Sequence, residues 1–227
     1  MICSVAVIIV SCAKKEESTT AATAATAAAA GDAAGTGTTA SGTITGTSVT
    51  GTFHTFWFSQ TPAGGCITNS TALSNFASDT KSVKKDWIVT GTSTYTVSQI
   101  TYSDETCSTM TSYFNTMYEN VTVGSELTGL TAGSSNMPTT ASKFSSVEDQ
   151  YVLMANTTVS IAHFLSSYEQ TVVSGTEKVI NESSPVTKYG LATTKTVSDN
   201  LWLFVDRGIS TADNVTDWSS GIGSYWQ

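Results

Sequence analysis

The sequence predicts a mainly β domain of antiparallel strands behind a tether that lacks regular structure. Ser and Thr supply about a third of the 227 residues, and Thr, branched at Cβ, favours a pleated strand over a helix. Hydrophobic residues make up 40% of the chain and aromatic residues 9%, which is enough apolar material for a core. From Ala13 to about Gly42 the chain consists mostly of Ala, Thr, Gly and Ser. We therefore expect a tether over 12–42 and the folded domain over 43–227.

Alternating and β-branched segments predict the first strands. Residues 52–58 read as a strand, and residues 85–90 and 92–102 form a predicted hairpin about Gly91. Residues 110–123 are ambiguous, because their apolar side chains recur at helical spacing while Thr, Tyr and Val dominate the composition. We interpret that segment as a strand.

The second half of the domain predicts one short helix and further strands. Ile161, Phe164, Leu165 and Tyr168 lie on one helical stripe, and Thr157 or Thr158 is placed to cap its start. Strand character returns over residues 171–180, 186–197 and 201–205.

Charge and motifs exclude several functions. The formal net charge is −8, from 18 acidic and 10 basic residues, so a nucleic-acid partner held by phosphate neutralisation is excluded. The chain contains no Gly-x-Ser-x-Gly, P-loop, His-Glu-x-x-His or Cys-x-x-Cys motif. His54 and His163 read as structural residues rather than as catalytic bases. We expect a protein that is not an enzyme and that uses no metal and no cofactor.

The N-terminus carries an export signal. Residues 1–11 are almost wholly apolar but too few to span a bilayer. Ile9-Val10-Ser11-Cys12 resembles the lipobox of bacterial lipoproteins. That resemblance implies cleavage before Cys12, attachment of a diacylglycerol to its thiol, and fatty acids such as palmitate as the membrane anchor. No Lys or Arg precedes the apolar run; a start codon farther upstream would supply it.

The residue after the lipobox bears on localisation. Ala13 stands where Asp holds some lipoproteins in the inner membrane. We therefore expect a lipid-anchored protein of the cell envelope, delivered to the outer membrane.

Two cysteines remain once the signal has been removed and Cys12 carries lipid. Cys66 and Cys107 are then an exported pair, and oxidation to a disulfide is the expected outcome. Two free thiols are the alternative, and a metal site is a weaker one because His54 and His163 are distant in sequence. Closing a loop of about forty residues should stabilise the fold by roughly 4 kcal/mol.

Several short segments then resemble one protein family. They are Gly51-Thr52-Phe53, Gly65-Cys66, Tyr102-Ser103-Asp104, Cys107-Ser108-Thr109 and Val123-Gly124. They resemble a group of small, Thr-rich bacterial lipoproteins with lipocalin-like antiparallel barrels, in which these two cysteines pair. The resemblance covers residues 51 to 124, with Phe53 where Trp is usual, and implies a barrel but no activity.

The resemblance also implies a role for one basic residue. Arg207 is the only arginine, and in lipocalin-like barrels a basic residue of the last strand often covers the aromatic residue of the first. We expect Arg207 to stack on Phe53 or Trp57 and so to close the barrel. The alternative is a pair between Arg207 and Asp206 or another surface acid.

Three functions fit this description. The first is a non-catalytic lipoprotein whose barrel binds a small apolar ligand or an envelope partner. The second is a structural or adhesive envelope component with a filled core, and the third, for which no motif speaks, is an exported hydrolase. An apolar cavity of about 300 Å³ or more would favour the first function, and a filled interior would favour the second.

Overall fold

The computed structural model describes residues 35–55, 65–132, 136–210, 212–219 and 223–226. For residues 207–210, 223, 224 and 226 the description covers the backbone alone. The described residues form nine strands: β1 (Thr52–Thr55), β2 (Ser82–Val89), β3 (Tyr95–Tyr102), β4 (Met110–Thr128), β5 (Thr140–Ala155), β6 (Lys178–Asn181), β7 (Thr187–Val197), β8 (Asn200–Ser210) and β9 (Gly223–Trp226). They also form two helices, α1 (Ser70–Leu73) and α2 (Thr158–Tyr168).

Eight of these strands form a nearly closed antiparallel barrel. Neighbours in sequence pair from β1 to β5, and the ring continues through β7, β8 and β9. It returns to β1, where His54 lies opposite Trp226 and Thr55 opposite Tyr225. The short strand β6 lies outside this ring and pairs with residues 150–153 of β5. The predicted mainly β, lipocalin-like antiparallel barrel is confirmed.

The local predictions hold for most elements. β2 and β3 form the hairpin about Gly91 in an unbroken register from Ser82–Tyr102 to Val89–Tyr95. The ambiguous segment is a strand, β4, because β3 pairs with one of its edges and β5 with the other. Pairing on both edges outweighs the helical spacing of its apolar side chains.

Both helices begin at capping side chains. Thr157 caps α2, since its hydroxyl accepts a hydrogen bond from the Ser160 N–H at 3.0 Å. The structure adds α1, which the sequence analysis does not predict. The Asn69 side chain caps it by accepting from the N–H groups of Thr71 and Ala72.

One strand prediction is mostly wrong. The sequence predicts a strand over residues 171–180. In the structure β6 begins at Lys178 and ends at Asn181, so residues 171–177 are not part of it. α2 ends at Tyr168, and its C-cap residue Glu169 has a left-handed backbone with φ of 56°. The chain then returns to β5, where the Gly175 N–H donates to the Ala155 carbonyl at 2.9 Å. Val172 packs there in a buried cluster with Leu153, Ala155 and Phe164. That packing holds residues 171–177 as a loop.

The N-terminal segment of the described chain runs along the outer wall of the barrel. We call residues 35–42 the strap; they fall within the predicted tether. Thr36 donates to Glu177 through its N–H at 2.8 Å and its hydroxyl at 2.7 Å, and the Ser41 N–H donates to the Val89 carbonyl at 2.7 Å. A Cβ at Gly35 would collide with the Tyr113 ring, so the close approach requires glycine.

The two ends of the barrel are closed differently. The helix end is covered by α1 and α2, whose buried residues pack in separate clusters against the strands. The cavity end is covered by residues 43–50, which follow the strap and which we call the lid. No helix among the described residues is long and apolar enough to span a membrane.

Candidate binding site

A cavity of about 190 Å³ lies inside the barrel beneath the lid. Apolar side chains from the lid and the strands form most of its wall: Ile44, Val49, Val123, Phe144, Leu203 and Val205. Hydroxyl groups contribute the remainder, from Thr47, Ser48, Ser142, Thr193 and Thr194. The described lining residues include no charged side chain, which suits an uncharged apolar ligand.

The lid is a small hairpin that directs two apolar side chains into the barrel. Thr43 and Thr50 form an isolated bridge, and the Ile44 N–H donates to the Val49 carbonyl at 3.0 Å. Thr47 closes the turn, since both its N–H and its hydroxyl donate to the Ile44 carbonyl. Gly46 has φ of +82°, a conformation that glycine adopts at no steric cost. Ile44 and Val49 are consequently buried at the mouth of the barrel.

Backbone contacts fix the lid to the neighbouring hairpin. The Thr45 N–H donates to the Thr92 carbonyl at 2.8 Å, and the Thr50 hydroxyl donates to the Gly42 carbonyl at 2.6 Å. Gly42 also lies against the backbone of Gly91. The lid is therefore held by the turn between β2 and β3 and by the end of the strap.

Below the cavity, three stacked aromatic rings fill the interior. Trp87 stacks on Tyr95 and Tyr95 stacks on Tyr118, with centroid distances of 4.5 Å in both pairs. We call these three residues the stack. Phe53 meets Trp87 edge to face at 6.3 Å. This packing leaves the cavity only the part of the barrel nearest the lid.

The hydroxyl groups of the stack reach polar partners deeper in the barrel. The Tyr95 hydroxyl lies 3.1 Å from Ser146 Oγ, and Tyr118 donates to Glu148 at 3.0 Å. Tyr151 donates to the same carboxylate. Burial, the hydrogen bond to Glu148 and the negative charges of Glu148 and Glu182 together raise the pKa of Tyr151 far above its usual range.

The indole of Trp87 is a polar exception in this wall. Trp87 lines the cavity and is 1% exposed. Its Nε1–H is buried and has no hydrogen-bond partner within the described part of the chain. Buried donors are nearly always paired in folded proteins, so this N–H is an exception within the core.

The predicted disulfide is present in the structure. Cys66 and Cys107 are joined, with their Cα atoms 5.9 Å apart, and Cys107 packs at the helix end with Ile100 and Tyr102. The free-thiol and metal alternatives therefore do not apply to this pair.

The loop that carries Cys107 is held by one carboxylate. Asp104 accepts hydrogen bonds from the hydroxyl and N–H of Thr106 and from the N–H groups of Ser108 and Thr109. The Thr106 hydroxyl contributes most, and together these donors hold the pKa of Asp104 far below its usual range.

The predicted anchor and closing stack lie largely outside the described residues. Cys12 and Trp57 belong to residues that the structure does not describe, and so does the side chain of Arg207. Phe53 is described, and its ring is buried against Trp87. The proposed alternative partner of Arg207, Asp206, is buried and accepts the Ser219 N–H at 2.8 Å. The stack of Arg207 on Phe53 or Trp57 stays a prediction.

Among the residues that the structure describes, neither histidine completes a nucleophile–histidine–acid arrangement. His54 pairs with Asp86 at 2.8 Å between Nδ1 and Oδ1, next to Gly65. His163 Nδ1 lies 3.4 Å from Ser167 Oγ on the exposed side of α2, which is longer than the reach of a general base. Within the described ranges, no three His, Cys, Asp or Glu side chains group so as to hold a metal ion. We assign no catalytic role to these residues.

The lid and the Trp87 floor of the cavity are functional features that the sequence analysis misses. A signal for the lid is present, since Ile44 and Val49 are the only large apolar residues between Ala13 and Thr52. They stand in a run of Thr and Gly, which obscures them. Trp87 falls within the predicted hairpin, but its sequence neighbours do not show that it lines a cavity.

Comparison with known proteins does not assign the chain to a family. No family model matches it, and no curated protein matches it. The cavity, the lid and the N-terminal sequence are therefore the features that bear on function.

Proposed function

We propose that this protein is a membrane-anchored bacterial lipoprotein that acts without catalysis and binds a small apolar ligand inside its barrel. The observation that carries the proposal is the cavity beneath the lid, walled by apolar side chains and lined by no charged residue among those described. Burial of apolar ligand surface against such a wall supplies roughly 25 cal/mol per Å².

The volume of the cavity limits the ligand. At about 190 Å³ it is smaller than the roughly 300 Å³ that was to favour a ligand carrier and at which drug-sized pockets begin, so the proposal rests on the apolar, uncharged wall rather than on the volume. The cavity is somewhat larger than the roughly 150 Å³ cavity that accommodates benzene in an engineered protein. A single ring with a short substituent, or a short acyl chain, has a suitable size.

The N-terminal sequence supports the anchor. The lipobox-like segment places the lipid on Cys12, and about 22 residues separate that cysteine from Gly35. A flexible segment of this length has a mean reach of roughly 25 Å. Such an anchor would hold the barrel in the cell envelope, at the outer membrane, within reach of apolar molecules that partition into lipid.

Anchoring is tested by labelling cells with radioactive palmitate. We expect the wild-type chain to incorporate the label and the Cys12→Ser variant to lose it and to retain the uncleaved signal. Incorporation that persists in Cys12→Ser would overturn the assignment of the lipid to Cys12.

Ligand binding is tested by filling the cavity. Ala192 lines it, and Ala192→Phe should place a ring in the space that a ligand occupies. Mass spectrometry of molecules that co-purify with the wild-type protein should detect a small apolar compound that Ala192→Phe lacks. A matched control is Ala212→Phe, since Ala212 is exposed outside the barrel. An empty wild-type protein that also binds no added single-ring probe contradicts the proposal.

The filled interior supports a second candidate, a structural or adhesive envelope component. The stack occupies the barrel below the cavity, and the other cleft, near α2, has a volume of only about 10 Å³. This candidate predicts an envelope phenotype on deletion of the protein that Ala192→Phe rescues fully. A ligand carrier would not be rescued by that variant.

A further inference from the structure

The lid is a short loop whose two ends meet at one residue of the barrel. The Ser41 N–H donates to the Val89 carbonyl at 2.7 Å just before the lid, and the Val89 N–H donates to the Gly51 carbonyl at 3.0 Å just after it. Gly42 and Gly51, which flank the lid, have φ of 75° and 84°, in the left-handed region that glycine enters without steric cost. A loop with such a base can rotate as a unit about its flanking residues.

Hydrogen bonds within the lid hold its shape independently of the barrel. The Ile44 N–H donates to the Val49 carbonyl at 3.0 Å. The Thr47 N–H donates to the Ile44 carbonyl at 3.0 Å, and Gly46, the third residue of that turn, has φ of +82°. These are the features of a type II turn. The lid can therefore move away from the barrel without losing these hydrogen bonds of its own.

The lid fills part of the barrel interior with aliphatic side chains. Ile44 and Val49 are 2% and 8% exposed, and they pack in one cluster with Phe144, Leu203 and Val205 of the strands. The strands thus form an apolar chamber that is partly filled by a segment outside the ring of strands. Once the lid is displaced, the chamber comprises the cavity together with the volume of both side chains, and its wall suits another aliphatic group.

We propose that the lid is a displaceable plug, and that the barrel takes a linear acyl chain that replaces the Ile44 and Val49 side chains when the lid swings outward. This inference rests on the proposed ligand-binding function and adds the class of ligand and the movement that admits it. A ligand that fits the closed cavity, such as a single aromatic ring, leaves the lid in place.

Displacement makes the closed lid a competitor of the acyl chain. The acyl chain binds only those molecules in which the lid is open, so its apparent dissociation constant is the intrinsic constant divided by the open fraction. Weakening the attachment of the lid should therefore raise the affinity for an acyl chain. The same change should not raise the affinity for a ring that binds beneath a closed lid.

Thr45 allows the attachment to be weakened without a change in the described lining of the cavity. Its N–H donates to the Thr92 carbonyl at 2.8 Å, and Thr45 is not among the described lining residues. Proline lacks the N–H but is favoured at the second position of a type II turn, which Thr45 occupies. Thr45→Pro should therefore keep the turn and lose this bond to the barrel. Thr45→Ala is the matched control, because it retains the N–H.

Decanoate and toluene serve as the long and the short probe, and calorimetric titration of the purified protein measures both affinities. In Thr45→Pro we expect the affinity for decanoate to rise about three- to tenfold, the equivalent of one net hydrogen bond, and the affinity for toluene not to rise. Thr45→Ala should match the wild type with both probes. An affinity for decanoate that is unchanged or lower in Thr45→Pro overturns the plug, and so does a rise that toluene or Thr45→Ala shares.

Hydrogen exchange on the wild-type protein covers the case in which Thr45→Pro fails to fold. Saturating decanoate should open the Thr45 N–H to exchange, while the Ile44 N–H stays protected by its bond to the Val49 carbonyl. Toluene should leave both groups protected. If the Thr45 N–H stays protected with decanoate bound, or if toluene binds and decanoate does not, the plug is overturned and the binding function stands. If neither probe binds the wild-type protein, the proposed binding function fails as well.

Discussion

The two ends of the barrel are closed by different structures. At the helix end, α1 and α2 cover the interior and a disulfide joins two loops. At the cavity end, the eight residues of the lid form one wall of a pocket of about 190 Å³ that is partly open to solvent. The helix end is thus closed by helices and a covalent bond, whereas the cavity end is closed by a hairpin that leaves space for a ligand.

Removing the disulfide should give the largest effect, and it should act on one end alone. The Cys66→Ser and Cys107→Ser double variant opens a covalent loop with a sequence separation of 41, which should lower the free energy of unfolding by about 4 kcal/mol. Urea denaturation measures that loss. The affinity of the folded protein for a single-ring probe should remain at the wild-type value; an affinity that falls with stability would show that the two ends are not independent.

A matched pair of leucines sharpens the comparison. Leu153 is fully buried at the helix end, whereas Leu203 is equally buried but lines the cavity. Leu153→Ala should destabilise the fold by about 3 kcal/mol and Leu203→Ala by about 2 kcal/mol, because a side chain beside an existing void loses fewer contacts. Thermal or urea unfolding compares them, and Leu203→Ala should also admit larger probes. Equal losses and an unchanged probe size would contradict this picture of the cavity end.

Removing the Glu177 carboxylate, which holds the strap, should have a smaller effect on the free energy of unfolding, and this effect should depend on pH. Burial alone would raise the pKa of Glu177, but hydrogen bonds from Tyr113 and Thr36 lower it overall. A carboxylate with a lowered pKa stabilises the fold above its unfolded value of about 4.5, and this contribution disappears as the pH falls through the folded pKa. Glu177→Gln should cost about 1 kcal/mol at neutral pH and should flatten the loss of stability in acid.

The control for the strap is an exposed acid. Glu126→Gln removes a carboxylate that is exposed on β4, and it should change neither the stability at neutral pH nor its dependence on acid. If the acid unfolding curves of the two variants coincide, the Glu177 carboxylate does not hold the strap.

The smallest effect on stability should come from replacing His163 in α2. Burial lowers the pKa of His163, and the charge of Asp79 opposes that shift in part. The histidine stabilises the fold while it is neutral, so its contribution is present above pH 6.5 and is lost as the pH falls through its folded value. His163→Gln should reduce the slope of stability against pH as the pH falls below 6.5. An unchanged slope would show that its protonation is not linked to folding.

The strands and the disulfide could be predicted because few contacts between distant segments are needed to recognise them. Alternation identifies β2 and β3, and the expected loss of Cys3 and lipidation of Cys12 left Cys66 and Cys107 as the predicted pair, which the structure joins. The helix α2 is predicted for the same local reason, since Thr157 caps a stripe of apolar side chains. These elements depend little on contacts between distant parts of the chain.

The binding site was less predictable because its parts are assembled from distant segments. Ile44 and Val49 gain their role only when the strap brings them to the barrel mouth. The sequence of residues 171–177 favours a strand, but these residues form a loop after α2, where Val172 packs against Leu153 and Phe164. Thr and Ser are so frequent in this sequence that it does not show which of them forms a given hydrogen bond. Tertiary contacts decide the partner, as the hydrogen bonds from Thr36 to Glu177 show.

The route of the strap has a mechanical consequence. The described chain enters at Gly35 and reaches Glu177 through Thr36 before it continues to Ile44. A pulling force on the preceding residues is therefore resisted first by two hydrogen bonds to one carboxylate and next by the bond from Ser41 to Val89. A force applied through the N-terminal residues, such as the proposed anchor on Cys12 would transmit, would therefore act on the outer wall of the barrel before it reached the lid.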